Sequence, residues 1–377
     1  MKLVIIGGHL APALAVIDNL SKDTQVLFIG RKHTFEGDKA ISLEYNTITA
    51  RHVRFADIVA GRLQRKFTKH TIPSLLKIPC GFFQSFFILR AFKPDIVLGF
   101  GGYVSLPVIL SSFILRIPIV IHEQTQGVGL CNRIVSLFAK KICISWESSR
   151  KFFPQNKTVL TGNPIRNFQL SIQRAPQDRL FNSQLPNKDL PIIYITGGSS
   201  GSHFINTMVE GCIKELLEQF IVIHQTGDSK SYQDFDRLKN LREVLSKILK
   251  SRYILKKFIS PNDIGLVLQK ADLVVARSGI NTVTELIAFK KPAILIPIAF
   301  SQNNEQLKNA LFFKSLGLGE VVTQEFLDKA HFLQKVKDMV NNINKYKIKD
   351  KSNALINKNA AQAIIEVVEY ATKSKED

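Results

Sequence analysis

Short apolar runs separated by helix-length stretches recur along the whole chain. In the first half they are Leu3–Ile6, Gln25–Ile29, Ile96–Gly99, Ile119–His122, Lys141–Ile144 and Thr158–Thr161. In the second half they are Pro191–Thr196, Phe220–His224, Tyr253–Lys256, Leu273–Ala276 and Ala293–Pro297. Continuous Val, Ile and Leu runs of this kind fit strands buried on both faces of a parallel sheet. Their alternation with helices predicts an α/β fold of two doubly wound domains. The stretch between Gly162 and Pro191 is rich in Pro, Asn, Gln and charge, as linkers are. The expected division is therefore 1–165 and 166–350, followed by a tail, 351–377. That tail has helical apolar spacing (Leu355, Ala361, Ile364, Ile365, Val368) and is expected to pack back on the first domain.

The ends of the apolar runs carry the candidate chemistry. Leu273–Ala276 runs into Arg277-Ser278-Gly279-Ile280-Asn281-Thr282 and then into a helix-like stretch, Val283–Phe289. A small-residue turn that opens a helix presents free backbone N–H groups and a positive dipole end, a natural seat for phosphate. Glu285 lies further along the same helix and suits a hydroxyl pair such as a ribose diol. Thr196-Gly197-Gly198-Ser199-Ser200-Gly201 repeats the plan, without the Gly-Lys-Ser/Thr of a Walker loop. Ile6-Gly7-Gly8-His9 is a third such turn, where an imidazole at the sheet mouth suits a general base; a turn with a capping histidine fits as well. Gly99–Ser105, with Tyr103, and His122-Glu123-Gln124-Thr125 end two more strands. Asn304-Glu305-Gln306 follows the last run, and Gly162-Asn163-Pro164-Ile165-Arg166 sets an arginine at the domain boundary.

Length and charge narrow the picture. The 377 residues suit two domains, and the net charge of +20 predicts an anionic partner without choosing among nucleic acid, anionic lipid and phosphorylated substrate. Between Arg51 and Lys93 there are nine Lys or Arg residues against one acidic residue, Asp57. The cluster Arg62, Arg65, Lys66 and Lys69 precedes Phe82, Phe83, Phe86 and Phe87, a pattern shared by membrane-surface helices and by core helices with a basic solvated face. Val104–Ile121 is long enough to span a bilayer, but Pro107, Arg116 and Pro118 break it into helix, turn and strand. Met1–Gly7 reads as a first strand, not a signal peptide. The four cysteines match no zinc or disulfide spacing and are expected as free thiols. Asp234-Phe235-Asp236 resembles a metal-binding Asp-x-Asp but lies in a polar helical run, away from any strand end.

Taken in order, Gly7-Gly8-His9, Gly99–Ser105, His122-Glu123-Gln124, Gly162–Arg166, Gly197–Gly201, Arg277–Glu285 and Gln306–Asn309 resemble the MurG family. These are bacterial transferases that move GlcNAc from UDP-GlcNAc to undecaprenyl-pyrophosphoryl-MurNAc-pentapeptide, lipid I. The resemblance runs from the first strand to about Ala310. It implies a GT-B fold, two Rossmann-like domains facing across a cleft, and a peripheral enzyme at the cytoplasmic face of the cell membrane. It implies that Arg166, Ser199 and Ile280–Thr282, with Asn281 between them, hold the donor diphosphate. Ile259 would lie by the uracil, Glu285 at the ribose and Gln306 at the GlcNAc hydroxyls. Gly7, Gly8, Tyr103 and Thr125 would meet the acceptor. Two positions depart from the family pattern: the first glycine loop is short, and Thr125 stands where Asn is common.

The expected reaction is an inverting transfer, with His9 as base, Glu123 as the second candidate, and no metal or other cofactor. Another GT-B enzyme with a different acceptor, or a UDP-GlcNAc epimerase, shares the donor motifs. A basic nucleic-acid-binding protein would leave the strand-end motifs unexplained, so the expected partners are UDP-GlcNAc, an undecaprenyl-linked acceptor and an anionic membrane surface, without nucleic acid.

Overall fold

Both halves of the chain build a parallel sheet, and the first six strands of each follow the same order. The computed structural model describes residues 1–33, 41–61, 77–165, 190–198, 200–229, 231–260, 263–301, 304–347, 357 and 359–373. The chain divides into two units, Met1–Arg166 with Asn357–Asp377, and Asn167–Ile356.

The first unit holds β1 (Lys2–Ile6), β2 (Gln25–Gly30), β3 (Arg54–Asp57), β4 (Ile96–Gly99), β5 (Ile119–Glu123), β6 (Lys141–Ile144) and β7 (Thr158–Leu160). They lie in the order β3-β2-β1-β4-β5-β6-β7. The strand order reverses between β1 and β4, which is where doubly wound sheets bind ligands. Register sets the site: Ile6 pairs with Ile29 and with Gly99, and Gly99 pairs with Ile121. The residues after these positions therefore leave the sheet at one edge.

Every β1 residue from Leu3 to Ile6 is buried, because alternate side chains point to opposite faces and helices cover both. Leu3 and Ile5 pack with Leu14 of the helix Leu10–Ile17 and with Ile364 and Val368 of the helix Ala360–Lys373. Val4 and Ile6 pack on the other side with Leu89, Val108 and Ile109, from the helices Lys77–Phe92 and Ser105–Ile114. The C-terminal helix thus covers the sheet of the first unit, and Asn357 Nδ2 donates to Thr161 O at 3.0 Å beside it. The long apolar stretch 104–121 is broken as its prolines and arginine predict: the helix ends at Ile114, Arg116 turns at φ +55° and β5 begins at Ile119. No helix among the described residues is long and apolar enough to cross a membrane.

The second unit holds β8 (Ile192–Thr196), β9 (Ile221–Gln225), β10 (Tyr253–Lys256), β11 (Leu273–Ala276), β12 (Ala293–Leu295) and β13 (Gly319–Val321), in the order β10-β9-β8-β11-β12-β13. Thr196 pairs with Gln225 and with Ala276, so the turns after β8, β9 and β11 again share one edge. The four thiols are unpaired, and burial pushes that of Cys143 up to about 12. Two strands, β3 and β13, escape the sequence pattern. Both are edge strands, with half-exposed or charged residues in place of an apolar run.

Candidate active site

In the first unit, two glycine turns meet back to back at the reversal point. A Cβ on Gly8 would lie 2.2 Å from Gly101 O, and one on Gly102 would lie 2.9 Å from Gly8 Cα. Only glycine permits that approach. It brings Gly7, Gly8, His9 and Tyr103 together. His9 occupies the cap position of the helix Leu10–Ile17, but its side chain makes no capping bond, so the ring is not spent on the helix. Burial lowers the His9 pKa, and the charge of Glu123 opposes that shift. The ring is therefore neutral at pH 7, the form a general base needs.

Glu123 is only 2% exposed and fully engaged. Its Oε1 accepts from Thr125 N at 2.9 Å and Thr125 Oγ1 at 2.7 Å, and its Oε2 from Gly129 N at 3.1 Å and Asn132 Nδ2 at 2.9 Å. Such a carboxylate fastens the loop 125–132 to β5. Thr125 is part of that clamp, and its Oγ1 also reaches Gly127 O at 2.5 Å. His122, behind His9, bonds through Nε2 to Gly162 O at 3.2 Å and Ser145 Oγ at 3.0 Å. Burial depresses its pKa to about 4, and the neighbouring His9 adds to the shift.

Two side chains at this edge escaped the sequence reading. Arg31 follows β2, and its Nη1 donates to Tyr103 Oη at 2.5 Å. Glu44, in the first turn of the helix Leu43–Thr49, brings its carboxyl against Gly7 and Gly30. Arg31 follows a strand-end glycine, the same signal that marked the other turns. Glu44 carries no local signal, because it arrives from a neighbouring helix.

In the second unit, the turns after β8 and β11 flank the equivalent reversal point. Gly198, at φ +87°, and Gly279 have nothing within 4 Å of an added Cβ, so both turns open outward. Gly279 caps the helix Ile280–Ala288 without a side-chain bond to the first amides. Arg277 lies between the turns. Its Nη1 donates to Ile296 O at 3.0 Å and Gln324 Oε1 at 2.7 Å, and its Nη2 to Ser202 Oγ at 2.7 Å. Its Nε is buried without a hydrogen-bond partner, and no ion pair to it occurs among the described residues. Burial lowers its pKa to about 10, so it remains a cation at neutral pH. The sequence motif contained Arg277 but did not reveal that it would be half-buried, with its Nε enclosed.

Gln225 joins the remaining donor candidates. Its Nε2 donates to Gly198 O at 3.0 Å, and its Oε1 accepts from Ile259 N at 3.2 Å. Gln306 sits beside the second turn: its carbonyl accepts from Ser278 Oγ at 2.7 Å and its Oε1 from Ile298 N at 3.1 Å. Asn281, Thr282 and Glu285 lie on the helix that opens at Ile280. Arg166 and Ser199 lie outside the described residues. Asp234 of the Asp-x-Asp is spent on protein contacts, accepting from Asn206 Nδ2 at 2.8 Å and pairing with His203 Nδ1 at 2.8 Å.

Comparison with known proteins agrees in both units. Residues 6–144 match the glycosyltransferase family 28 N-terminal domain, and 192–368 its C-terminal domain. A protein of Clostridium kluyveri is 33% identical over 368 residues, covering 94% of this chain and 98% of the relative. One of Geobacter sulfurreducens is 32% identical and covers all of both chains. Both are named UDP-N-acetylglucosamine–N-acetylmuramyl-(pentapeptide) pyrophosphoryl-undecaprenol N-acetylglucosamine transferase. Among solved structures, Acinetobacter baumannii MurG has a TM-score of 0.67 at 23% identity, covering 98% of this chain and all of the other. A UDP-GlcNAc 2-epimerase of Neisseria meningitidis has a TM-score of 0.65 at 14% identity with the same coverage. These two likenesses speak to a shared GT-B fold.

Proposed function

We propose, from the fact that the chain belongs to glycosyltransferase family 28 and within it to the MurG family, that it makes the lipid-linked disaccharide of peptidoglycan synthesis. It would move GlcNAc from UDP-GlcNAc to the C4 hydroxyl of MurNAc in undecaprenyl-pyrophosphoryl-MurNAc-pentapeptide. The observation that carries this reading is Arg277, a half-buried cation whose Nε is buried without a hydrogen-bond partner and which has no counter-charge among the described residues, beside an uncapped helix mouth. A partly desolvated charge of this kind favours an anion, and a nucleotide diphosphate supplies one.

In this reading the diphosphate sits against Arg277 and the amides of Ile280–Thr282, with Ser199 and Arg166 as further ligands. Glu285 takes the ribose, the Ile259 backbone the uracil and Gln306 the GlcNAc. On the acceptor side, Gly7, Gly8 and Tyr103 lie nearest the sugar and its diphosphate. Neutral His9 removes the proton of the attacking hydroxyl, and the hydroxyl oxygen displaces UDP from C1 with inversion. The charge that builds on the leaving phosphate is met by the guanidinium and by preorganised N–H groups. Glu123 supports the base by holding the loop 125–132, and Thr125 contributes through that clamp.

The reading also assigns the enzyme to the cytoplasmic membrane surface, where its acceptor resides. Phe83 and Phe87 stand 59% and 65% exposed one helical turn apart, and Phe113 and Ile114 are exposed on the adjoining helix. Arg90, Lys93 and Arg116, all exposed, follow them closely in sequence. Exposed apolar groups accompanied by exposed cations suit an anionic bilayer. The basic cluster Arg62, Arg65, Lys66 and Lys69 lies outside the described residues.

Labelled UDP-GlcNAc with a short-chain lipid I analogue tests the assignment. Label in the lipid-linked disaccharide is expected. Conversion of the nucleotide sugar without acceptor would indicate an epimerase instead, and no turnover of either kind would end the proposal.

A further inference from the structure

An acceptor of the proposed kind brings a diphosphate to the first unit, and the glycine turn after β1 is poorly placed to hold it alone. Glu44 already fills that turn. A Cβ on Gly7 would lie 2.3 Å from Glu44 Oε1, and one on Gly30 would lie 2.5 Å from Oε2. The carboxyl accepts the backbone N–H of Arg31 at 3.3 Å and also draws on that of Gly8. Amides that would otherwise receive an incoming anion are thus turned toward the chain's own acid. Burial raises the Glu44 pKa, against the pull of those amides and of Arg31.

A second anion at this edge needs a cation, and Arg31 is in place to be one. Its backbone is pinned on both sides: the N–H goes to Glu44, and the carbonyl accepts from Ser42 Oγ at 2.6 Å. Its Nη1 donates to Tyr103 Oη at 2.5 Å, with Cζ 5.6 Å from the Tyr103 ring centre. A guanidinium carries about five N–H donors in a planar fork, so one bond to a phenol leaves most of the fork for phosphate oxygens. Tyr103 follows Gly101-Gly102, the turn packed against Gly8. The guanidinium therefore lies at the same sheet edge as His9.

We propose that Arg31 binds the diphosphate of the lipid-linked acceptor, with Tyr103 steadying its fork and Glu44 occupying the glycine turn. This rests on the acceptor assignment made above. The charge on the acceptor is met by a side-chain fork, and a turn with few glycines suffices.

The test compares two short-chain acceptor analogues, one linked through a diphosphate and one through a monophosphate, in the native chain, Arg31→Ala and Arg31→Lys. Arg31→Ala should lose about ten- to one-hundredfold in kcat/KM on the diphosphate acceptor. It should lose far less on the monophosphate and keep its KM for UDP-GlcNAc. Arg31→Lys should recover part of the loss. Equal losses on both acceptors in a protein with native thermal midpoint would overturn the proposal. If the native chain transfers to neither analogue, the acceptor assignment fails by itself. Calorimetry of the diphosphate analogue against the full chain then decides Arg31. Binding that weakens in Arg31→Ala supports the proposal, and binding that is unaffected, or absent from the native chain, overturns it.

Discussion

Arg277 and Ser202 are joined by a 2.7 Å hydrogen bond from Nη2 to Oγ. The same Oγ accepts from Ile205 N at 3.4 Å and so caps the helix His203–Glu210. One hydroxyl therefore ties the end of β11 to the helix that follows β8. The two turns that open at the reversal point of the second sheet are held as one piece, and the cation between them cannot swing away. Preorganisation of this kind lets a charge act without reorienting during the reaction.

Replacing Arg277 by lysine separates charge from shape. An ammonium group cannot reach Ser202, Gln324 and the Ile296 carbonyl at once, as the fork does. UDP affinity is expected to fall about ten- to one-hundredfold, the worth of one or two charge-assisted bonds. Calorimetry with UDP reads this directly. Native affinity in Arg277→Lys would mean that the fork is not aimed at the nucleotide.

His9 and Glu123 should fail in opposite ways. His9→Ala removes the base and leaves the helix cap unchanged, because the ring makes no capping bond. Turnover is expected to drop about one-hundredfold or more, with unfolding temperature and UDP affinity near native. Because the His9 pKa lies below the ordinary value, native kcat/KM should be flat near neutrality and fall only as pH drops below about 6.5. Glu123→Gln keeps the shape but puts an NH2 against donors that need an acceptor. It should cost about 1–3 kcal/mol of stability, seen as a lower thermal midpoint, with most turnover kept at low temperature. A Glu123→Gln protein that melts normally yet is inactive would return Glu123 to the role of base.

The contrast between these two residues marks how far a sequence can be read. Continuous apolar runs exposed the buried strands, because a strand covered on both faces has no polar register to maintain. The edge strands Arg54–Asp57 and Gly319–Val321 stayed hidden for the converse reason. Strand-end glycines pointed to the turns around Gly7, Gly101, Gly198 and Gly279. They could not show that Glu44 would enter from a helix to lie between Gly7 and Gly30, or that Arg31 would reach Tyr103, 72 residues away. Such pairings belong to the register between strands and have no local signature.

Two buried histidines predict acid sensitivity. Burial depresses His122 to about 4 and His224 to about 3, each in a different unit. His224 is held by Asn206 Oδ1 at 3.0 Å and Tyr253 Oη at 2.9 Å. Below 6.5 the unfolded chain takes up protons that the folded chain refuses, so stability falls as pH falls. The slope is about 1.4 kcal/mol per pH unit for each histidine until its folded value is reached. Thermal melts between pH 7.5 and pH 5 should therefore shift downward on acidification. His122→Gln should reduce the pH dependence of the first unit even where it lowers stability overall. A melting midpoint independent of pH across that range would contradict the burial of both rings as neutral groups.

The exposed phenylalanines offer the cleanest separation of attachment from chemistry. Phe83 and Phe87 belong to the helix Lys77–Phe92, whose buried side carries Gly81, Ser85 and Leu89. The buried side is fastened through Ser85 Oγ, which lies 2.9 Å from Ser111 Oγ on the adjoining helix. Removing the two outward rings leaves those contacts intact, so Phe83→Ser/Phe87→Ser should melt like the native chain. Inserting each ring in the acyl boundary contributes about 1.5–3 kcal/mol, so the double variant should bind vesicles at least about tenfold more weakly. Flotation with vesicles containing anionic lipid measures this, and added salt should weaken native binding further because the accompanying cations are screened. Transfer to a detergent-dispersed acceptor should be unaffected. If the variant floats as well as the native chain, the membrane face lies elsewhere on the molecule.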